Sequence, residues 1–190
     1  MKAALILSAL LAAGTTVHAA PVAYTIDPTH TFPSFEADHL GISVWRGKLK
    51  RSSGRVLFDK ATGTGSVEIE TELASIDFGL EALDAWARGP DFLDVARHPR
   101  AVFKGALTAP VQGVPTRVEG TLSLHGVTRP LTLTVHSLKC ITHPMLKRDY
   151  CGADASGSFQ RDEFGLAAGK DYGFRMAVDL RIQVEAVADQ

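Results

Sequence analysis

Residues 118–135 read VEGTLSLHGVTRPLTLTV, and apolar and polar side chains alternate along both halves of this stretch. One face of each half carries the apolar or small residues: Val118, Gly120, Leu122, Leu124, Leu131, Leu133 and Val135. Successive side chains of a strand point to opposite faces of a sheet, so a period of two predicts a pair of half-buried antiparallel strands. Between them, residues 126–130 predict a turn that opens with a glycine and leaves Pro130 at the first residue of the second strand.

The same alternation recurs along most of the chain. It occurs at residues 23–27, 31–39, 44–50, 54–58, 67–73, 101–107, 153–160 and 173–187. Residues 51–53 (RSS) predict a hairpin between two of these strands. At least eight strands with one apolar face can bury that face by closing into a barrel, which also removes the exposed edges. The sequence therefore predicts an all-β protein with an antiparallel barrel of eight strands or slightly more.

One segment departs from this pattern. Within residues 77–88, Leu80, Leu83 and Trp86 recur at helical spacing, which predicts a short amphipathic helix that ends at Gly89. A second helical turn is predicted for residues 91–95. So short a helix is marginal alone in water, and we expect this helical insert to cover an open end or flank of the barrel.

The interior of an eight-stranded barrel is just wide enough to be filled by side chains or to hold one ligand. Four predicted inward positions are small: Ala37, Gly105, Gly120 and Gly157. They favour an apolar pocket, although small residues also serve tight packing at barrel bends.

Residues 1–19 are typical of a secretory signal peptide, with a positive start, an apolar run and small residues before the expected cleavage site. We therefore expect an exported protein with a single domain at residues 20–190. The net charge of −1 and the lack of a basic stripe argue against a nucleic-acid partner.

The sequence has two cysteines, Cys140 and Cys151. Export favours a disulfide between them. Together with His143 they offer an alternative metal site, but structural zinc prefers four ligands.

The sequence contains no nucleophile elbow, phosphate-binding loop or H-E-x-x-H motif. His30 and His39 are the candidate general bases, with Asp27 and Asp38 near them in sequence, but no serine or cysteine stands out as a nucleophile. No catalytic residue, metal or cofactor is assigned.

The sequence resembles the YceI-like family of secreted, lipocalin-like barrels. The resemblance rests on five short segments in a specific order: residues 24–41 (YTIDPTHTFPSFEADHLG), 91–103 (DFLDVARHPRAVF), 119–131 (EGTLSLHGVTRPL), 140–152 with its cysteines, and 161–165 (RDEFG).

The resemblance implies a periplasmic, non-catalytic protein that holds a long-chain isoprenoid, an isoprenoid quinone or another aliphatic amphiphile. It also implies a homodimer. Transient contact with a membrane is a further expectation for a carrier of such a ligand. The side chains expected to form the tunnel wall are Phe35, Trp45, Phe58, Phe103, Leu122, Phe174 and Met176. Leu83, Trp86 and Phe92 are expected to form its roof, and His39 to meet the head group. Two alternatives are a lipid- or quinone-modifying enzyme that uses His39 or His30, and a ligand-free structural stress protein.

Overall fold

The computed structural model describes residues 20–190, and the predicted signal peptide at residues 1–19 lies outside this range. The described chain consists mainly of strands. These are β1 (Val22–Ile26), β2 (Phe32–His39), β3 (Ser43–Leu49), β4 (Ser52–Asp59), β5 (Thr64–Glu72), β6 (Ile76–Asp77), β7 (Arg100–Thr108), β8 (Arg117–Leu124), β9 (Val127–Thr142), β10 (Asp149–Gln160) and β11 (Ala177–Ala188). One α-helix, α1 (Glu81–Arg88), lies between β6 and β7.

Eight of the strands close into a barrel in the order β1-β4-β5-β7-β8-β9-β10-β11, because β11 pairs with both β10 and β1. Every pairing is antiparallel. The predicted eight-stranded antiparallel barrel with a short helical insert is confirmed. Its apolar face forms the interior because closure removes that face from water, which is favourable.

Strand β11 is shared between two neighbours along its length. Residues 186–188 pair with β1, whereas residues 178–183 pair with β2. Between β1 and β2 the chain turns at Asp27, whose carboxylate accepts a hydrogen bond of 2.8 Å from the backbone N–H of Thr29. Strand β2 pairs with β3, and β3 pairs with β6, so these three strands extend the sheet beyond the closed barrel.

The strands of residues 118–135 form as predicted, but their turn is shorter and earlier. His125 and Gly126 form it, both with positive φ, as a tight two-residue hairpin requires. The predicted turn at residues 126–130 is therefore wrong, and Pro130 lies inside β9 opposite Thr121. The sheet tolerates this proline because β10 pairs with β9 only from Thr134 onward.

The predicted hairpin around residues 51–53 is also wrong. Strand β3 pairs with β2 and β6, and β4 pairs with β1 and β5. Both strands run in the same direction, so the chain continues from one into the other without reversing. The backbone N–H groups of Lys50 and Arg51 bond to Ser75, to its carbonyl at 3.2 Å and its hydroxyl at 3.1 Å.

The helix forms where the spacing predicted it, but residues 91–95 form turns instead of a second helical segment. The backbone N–H of Leu93 bonds back to the Ala87 carbonyl at 3.0 Å, which folds this loop onto α1. The last strand begins at Ala177 and not at residue 173, because Gly173 takes a left-handed conformation after a 3-10 turn. Within residues 20–190, no helix is long and apolar enough to cross a bilayer.

Candidate functional site

A cavity of about 540 Å³ occupies the barrel interior. This volume is typical of sites that bind small molecules. Alternate residues of β11 line it: Val178, Leu180, Ile182, Val184 and Ala186. At about 3.3 Å per residue, the eight steps from the first to the last of them cover roughly 26 Å. The cavity is therefore a tunnel that follows the strands.

Its wall is almost entirely apolar, and the threonines in it are already hydrogen-bonded. The Thr31 hydroxyl donates to the Glu185 carbonyl at 3.2 Å and accepts from the Glu185 N–H at 3.1 Å. Thr71 shares a hydrogen bond of 3.2 Å with Ser52. These hydroxyls have partners in the protein, so the wall behaves as a dry surface.

Tyr24, which is 1% exposed, forms the floor of the tunnel. Its hydroxyl donates a hydrogen bond of 2.6 Å to Asp149, which is also ion-paired with Lys60. Burial, then the hydrogen bond and the charge of Asp149, raises the pKa of Tyr24. Burial alone would raise the pKa of Asp149, but Lys60 and Tyr24 outweigh it and lower that pKa. The polar groups at this end satisfy one another.

The opposite end is roofed by α1 and the loop after it. Leu83 and Trp86 are three residues apart, so they share one face of the helix. Trp86 stacks on Phe92 with ring centroids 4.9 Å apart, and all three side chains line the tunnel. The buried carboxylate of Asp84 accepts a hydrogen bond of 2.7 Å from the Phe78 N–H, which anchors the helix to the sheet. Trp86 is 44% exposed, so the tunnel reaches solvent at this end.

Nine of the eleven residues predicted for the site line the tunnel. They are Phe35, Trp45, Phe58, Leu83, Trp86, Phe92, Phe103, Leu122 and Phe174. Their contact with a ligand stays a prediction, but the structure brings them into one cavity.

The other two predicted site residues are not among the lining residues. His39 stacks on Trp45 with centroids 4.2 Å apart and meets Phe174 edge-on at 5.1 Å, so it lies behind those rings. Met176 is buried just before β11 begins. The other candidate base, His30, is largely exposed and bonds to Asp27 at 2.9 Å, outside the lining.

Sequence reasoning missed Arg161, which lines the tunnel and is 8% exposed. Its guanidinium lies 5.8 Å from the centre of the Phe92 ring. The signal was present, because Arg161 follows Phe159 at the period of two that brings β10 side chains inward. The inward position of Arg161 was missed because β10 ends at Gln160, and a charged residue just after a strand suggests a solvated loop.

Three of the four small residues predicted to face inward do not line the tunnel. Gly105, Gly120 and Gly157 are absent from the lining, whereas Ala37 is present. A Cβ atom on Gly120 would lie 2.2 Å from the Lys104 carbonyl oxygen and 2.7 Å from the Gly105 Cα. These glycines allow close backbone and side-chain packing, which is the second role that small residues have in barrels.

Cys140 and Cys151 lie opposite each other on β9 and β10 and form a disulfide, as predicted. Their sulfurs and the carboxylate of Asp149 lie within 4.8 Å of one another, as ligands of a metal would. The disulfide, however, leaves no thiolate to bind a metal. Asp149 already accepts a hydrogen bond from Tyr24 and is ion-paired with Lys60, so this cluster does not suit a metal ion. His143, the third candidate ligand, packs on Tyr150 instead, with ring centroids 4.9 Å apart.

Comparison with known proteins relates the chain to one family. The model of the YceI-like domain matches residues 24–188. A UPF0312 protein of Azotobacter vinelandii is 34% identical over 185 residues, which cover 95% of this chain and 93% of that protein. A second UPF0312 protein, from Shewanella denitrificans, is 30% identical over 172 residues, or 90% of this chain and 85% of that one.

Two solved structures share the fold. BcnA of Burkholderia cenocepacia superimposes with a TM-score of 0.68 at 21% identity, over 84% of this chain and 98% of its own. A polyisoprenoid-binding domain of Saccharophagus degradans, implicated in plant cell wall breakdown, superimposes with a TM-score of 0.65 at 17% identity, over 88% and 99% of the two chains. The matched domain and the two relatives together show that this chain belongs to the YceI-like family.

Proposed function

We propose that this protein is a periplasmic carrier that holds one long-chain isoprenoid lipid or isoprenoid quinone in the barrel tunnel and catalyses no reaction on it. The observation that carries the proposal is the continuous apolar tunnel, roughly 26 Å long by strand rise. Each buried CH₂ group contributes about 0.8 kcal/mol, so a long hydrocarbon binds such a wall with few polar contacts. The polyisoprenoid-binding neighbour with the same fold supports this choice of ligand.

The periplasmic location is part of the proposal. The signal-like residues 1–19 and the disulfide between Cys140 and Cys151 support it, because disulfides persist in oxidising compartments.

Transient membrane contact gives the ligand a route into the tunnel. The turn between β2 and β3 exposes Leu40 and Ile42 at the same end of the barrel as Trp86, and Ile42 is 79% exposed. Exposed apolar side chains beside an apolar opening favour contact with a lipid surface.

Neither histidine supports the alternative of a lipid-modifying enzyme. A general base must come within hydrogen-bond reach of the ligand, and both His30 and His39 lie outside the tunnel lining. His30→Ala and His39→Ala variants test this directly, because an enzyme of this kind would lose turnover in one of them.

Native mass spectrometry tests the proposed function. The protein is exported with residues 1–19 present, purified without detergent and analysed intact, and the bound material is then extracted and identified. We expect one long-chain isoprenoid per barrel. A folded protein that is empty and also ignores added isoprenoids would contradict the proposal and favour the ligand-free structural alternative.

A further inference from the structure

Arg161 is the only lysine or arginine among the tunnel-lining residues of the described chain. It is 8% exposed and follows directly on β10. Burial lowers the pKa of Arg161, while the nearby charge of Asp162 acts in the opposite direction. An arginine stays protonated under these conditions, so the tunnel contains a permanent positive charge.

Within residues 20–190, no carboxylate is bonded to this charge. Nη1 donates to the Leu166 carbonyl at 2.5 Å, and Nη2 donates to the Ala168 carbonyl at 2.6 Å. The neighbouring Asp162 pairs instead with Lys170 at 2.7 Å. A guanidinium has five N–H donors, so these two bonds leave three for another acceptor. Two neutral carbonyls orient the group without neutralising it.

The other charged or ionisable groups in the tunnel already have partners. Asp38, the one acidic lining residue of the described chain, accepts bonds from the Gly41 N–H at 3.0 and 3.2 Å and faces Arg175 at 4.0 Å. At the floor, Tyr24 is bonded to Asp149. A buried cation is costly unless an anion compensates it, and Arg161 is the one charged lining residue of the described chain without an ion-pair or hydrogen-bond contact to an opposite charge; Asp162 acts on it only through space.

The position of Arg161 suits the head of an amphiphile. Its guanidinium lies against Phe92, and Phe92 stacks on the partly exposed Trp86. The cation therefore lies under the roof, near the end where the tunnel reaches solvent, while the apolar wall continues to the floor at Tyr24. A head group held at Arg161 would leave its tail in the apolar part.

We propose that Arg161 binds an oxyanion, so that the protein selects long-chain amphiphiles with a phosphate or carboxylate head over neutral alcohols or quinones with the same tail. The inference rests on the proposed function and narrows its ligand class. Arginine suits this role because its planar fork of donors matches the geometry of both oxyanions.

Tryptophan fluorescence reports occupancy directly, because the chain has two tryptophans and both Trp45 and Trp86 line the tunnel. The exported protein is stripped of lipid, refolded and titrated with geranylgeranyl phosphate and with geranylgeraniol. Stearate and stearyl alcohol form a second matched pair, so the two pairs separate a phosphate from a carboxylate head. We expect the anion of at least one pair to bind roughly 10- to 100-fold more tightly than its alcohol, as charge-assisted hydrogen bonds provide.

Two variants assign the preference to the side chain. Arg161→Gln should reduce the preference for the anion to about threefold or less and leave the affinity for the alcohol unchanged. Arg161→Lys should keep part of the preference because the charge remains. Arg97→Gln is the matched control, since Arg97 is exposed, lies outside the tunnel lining and pairs with Asp94 at 3.6 Å. Should Arg161→Gln fail to fold, the ratio in the unmodified protein and the Lys variant still decide the question.

The outcomes separate the two proposals. If alcohols and anions bind equally, or if the preference survives in Arg161→Gln, the inference about Arg161 is wrong and the carrier function stands. If none of the four probes binds, the proposed carrier function fails, and the inference fails with it.

Discussion

The hydroxyl of Tyr150 donates a hydrogen bond of 2.6 Å to the carboxylate of Asp27, which joins β10 to the turn between β1 and β2. The same carboxylate accepts hydrogen bonds from Thr29 and contacts the Nδ1 atom of His30 at 2.9 Å. Burial alone would raise the pKa of Asp27, but the bonds from Thr29, Tyr150 and His30 outweigh it and hold that pKa far below its usual range. The cluster therefore stabilises the fold through an ionised carboxylate.

This cluster predicts acid-sensitive stability. The folded-state pKa of Asp27 is depressed, so its contribution is full above the unfolded value of about 3.9 and is lost as pH falls toward the folded value. Asp27→Asn should lower the urea midpoint at pH 7 and flatten its decline between pH 5 and pH 2.5. Asp171→Asn, which changes an exposed carboxylate, is the control and should leave the decline unchanged.

Tyr150→Phe removes one bond from the same cluster. A hydrogen bond to a charged group contributes about 1.5–3 kcal/mol, so we expect Tm to fall by roughly 3–12 °C for a domain of this size. Differential scanning calorimetry at pH 7 measures this, and an unchanged Tm would show that the bond adds nothing net.

Leu122 tests the tunnel. It is buried and lines the cavity, so Leu122→Arg should abolish lipid loading by placing an unpaired charge among apolar side chains. Leu57→Arg is the matched control, because Leu57 is 47% exposed. Native mass spectrometry of both variants gives the result, and full loading of Leu122→Arg would remove that residue from the binding site.

A second tunnel variant avoids the buried charge. Ala155 lines the cavity from β10, and Ala155→Phe would occupy tunnel space with an apolar ring. We expect a folded protein with reduced loading. Unreduced loading in a folded variant would place the ligand elsewhere.

The disulfide between Cys140 and Cys151 should stabilise the protein by restricting its unfolded state. The two cysteines are 11 residues apart in sequence. For a loop of this length the chain-entropy model gives about 2.5–3 kcal/mol, or roughly 5–12 °C in Tm. Thermal unfolding with and without reductant measures this difference. The double variant Cys140→Ala/Cys151→Ala should reproduce the reduced value and ignore reductant.

Gly120 tests the packing between β7 and β8. Gly120→Ala would push a methyl group into the Lys104 carbonyl and the Gly105 Cα, so we expect a loss of about 1–3 kcal/mol. Gly152→Ala is the control, because its Cβ would meet nothing nearer than the Glu185 side chain at 3.4 Å. Equal urea midpoints for the two variants would contradict this explanation of the small residues.

Much of the barrel could be read from the chain because alternation is a local property. The pattern of residues 118–135 required β8 and β9 with one apolar face, and their leucines do point into the tunnel. The same argument gave the inward faces of β5 and β11. The helical spacing of Leu83 and Trp86 is also a local property, and it predicted the helix from which both residues line the tunnel.

One error arose because strand partners had to be chosen, and another because a strand begins later than expected. A period of two does not say which strand lies beside which, so residues 51–53 read as a hairpin although β3 and β4 run in the same direction. Met176 is an even number of residues from the inward-facing residues of β11, so alternation predicted that it faces inward. Strand β11 begins only at Ala177, however, so the alternation does not apply to Met176.

The sequence by itself determined the class of fold and an apolar interior, because backbone geometry imposes the period of each strand within a few neighbouring residues. Only the tertiary structure decided that the interior is a tunnel, that Tyr24 and Asp149 close one end, and that the Arg161 guanidinium faces the tunnel bonded to two carbonyls and not to a carboxylate. The reason is that a side chain's electrostatic environment depends on atoms that come from distant parts of the chain and meet only when the barrel closes.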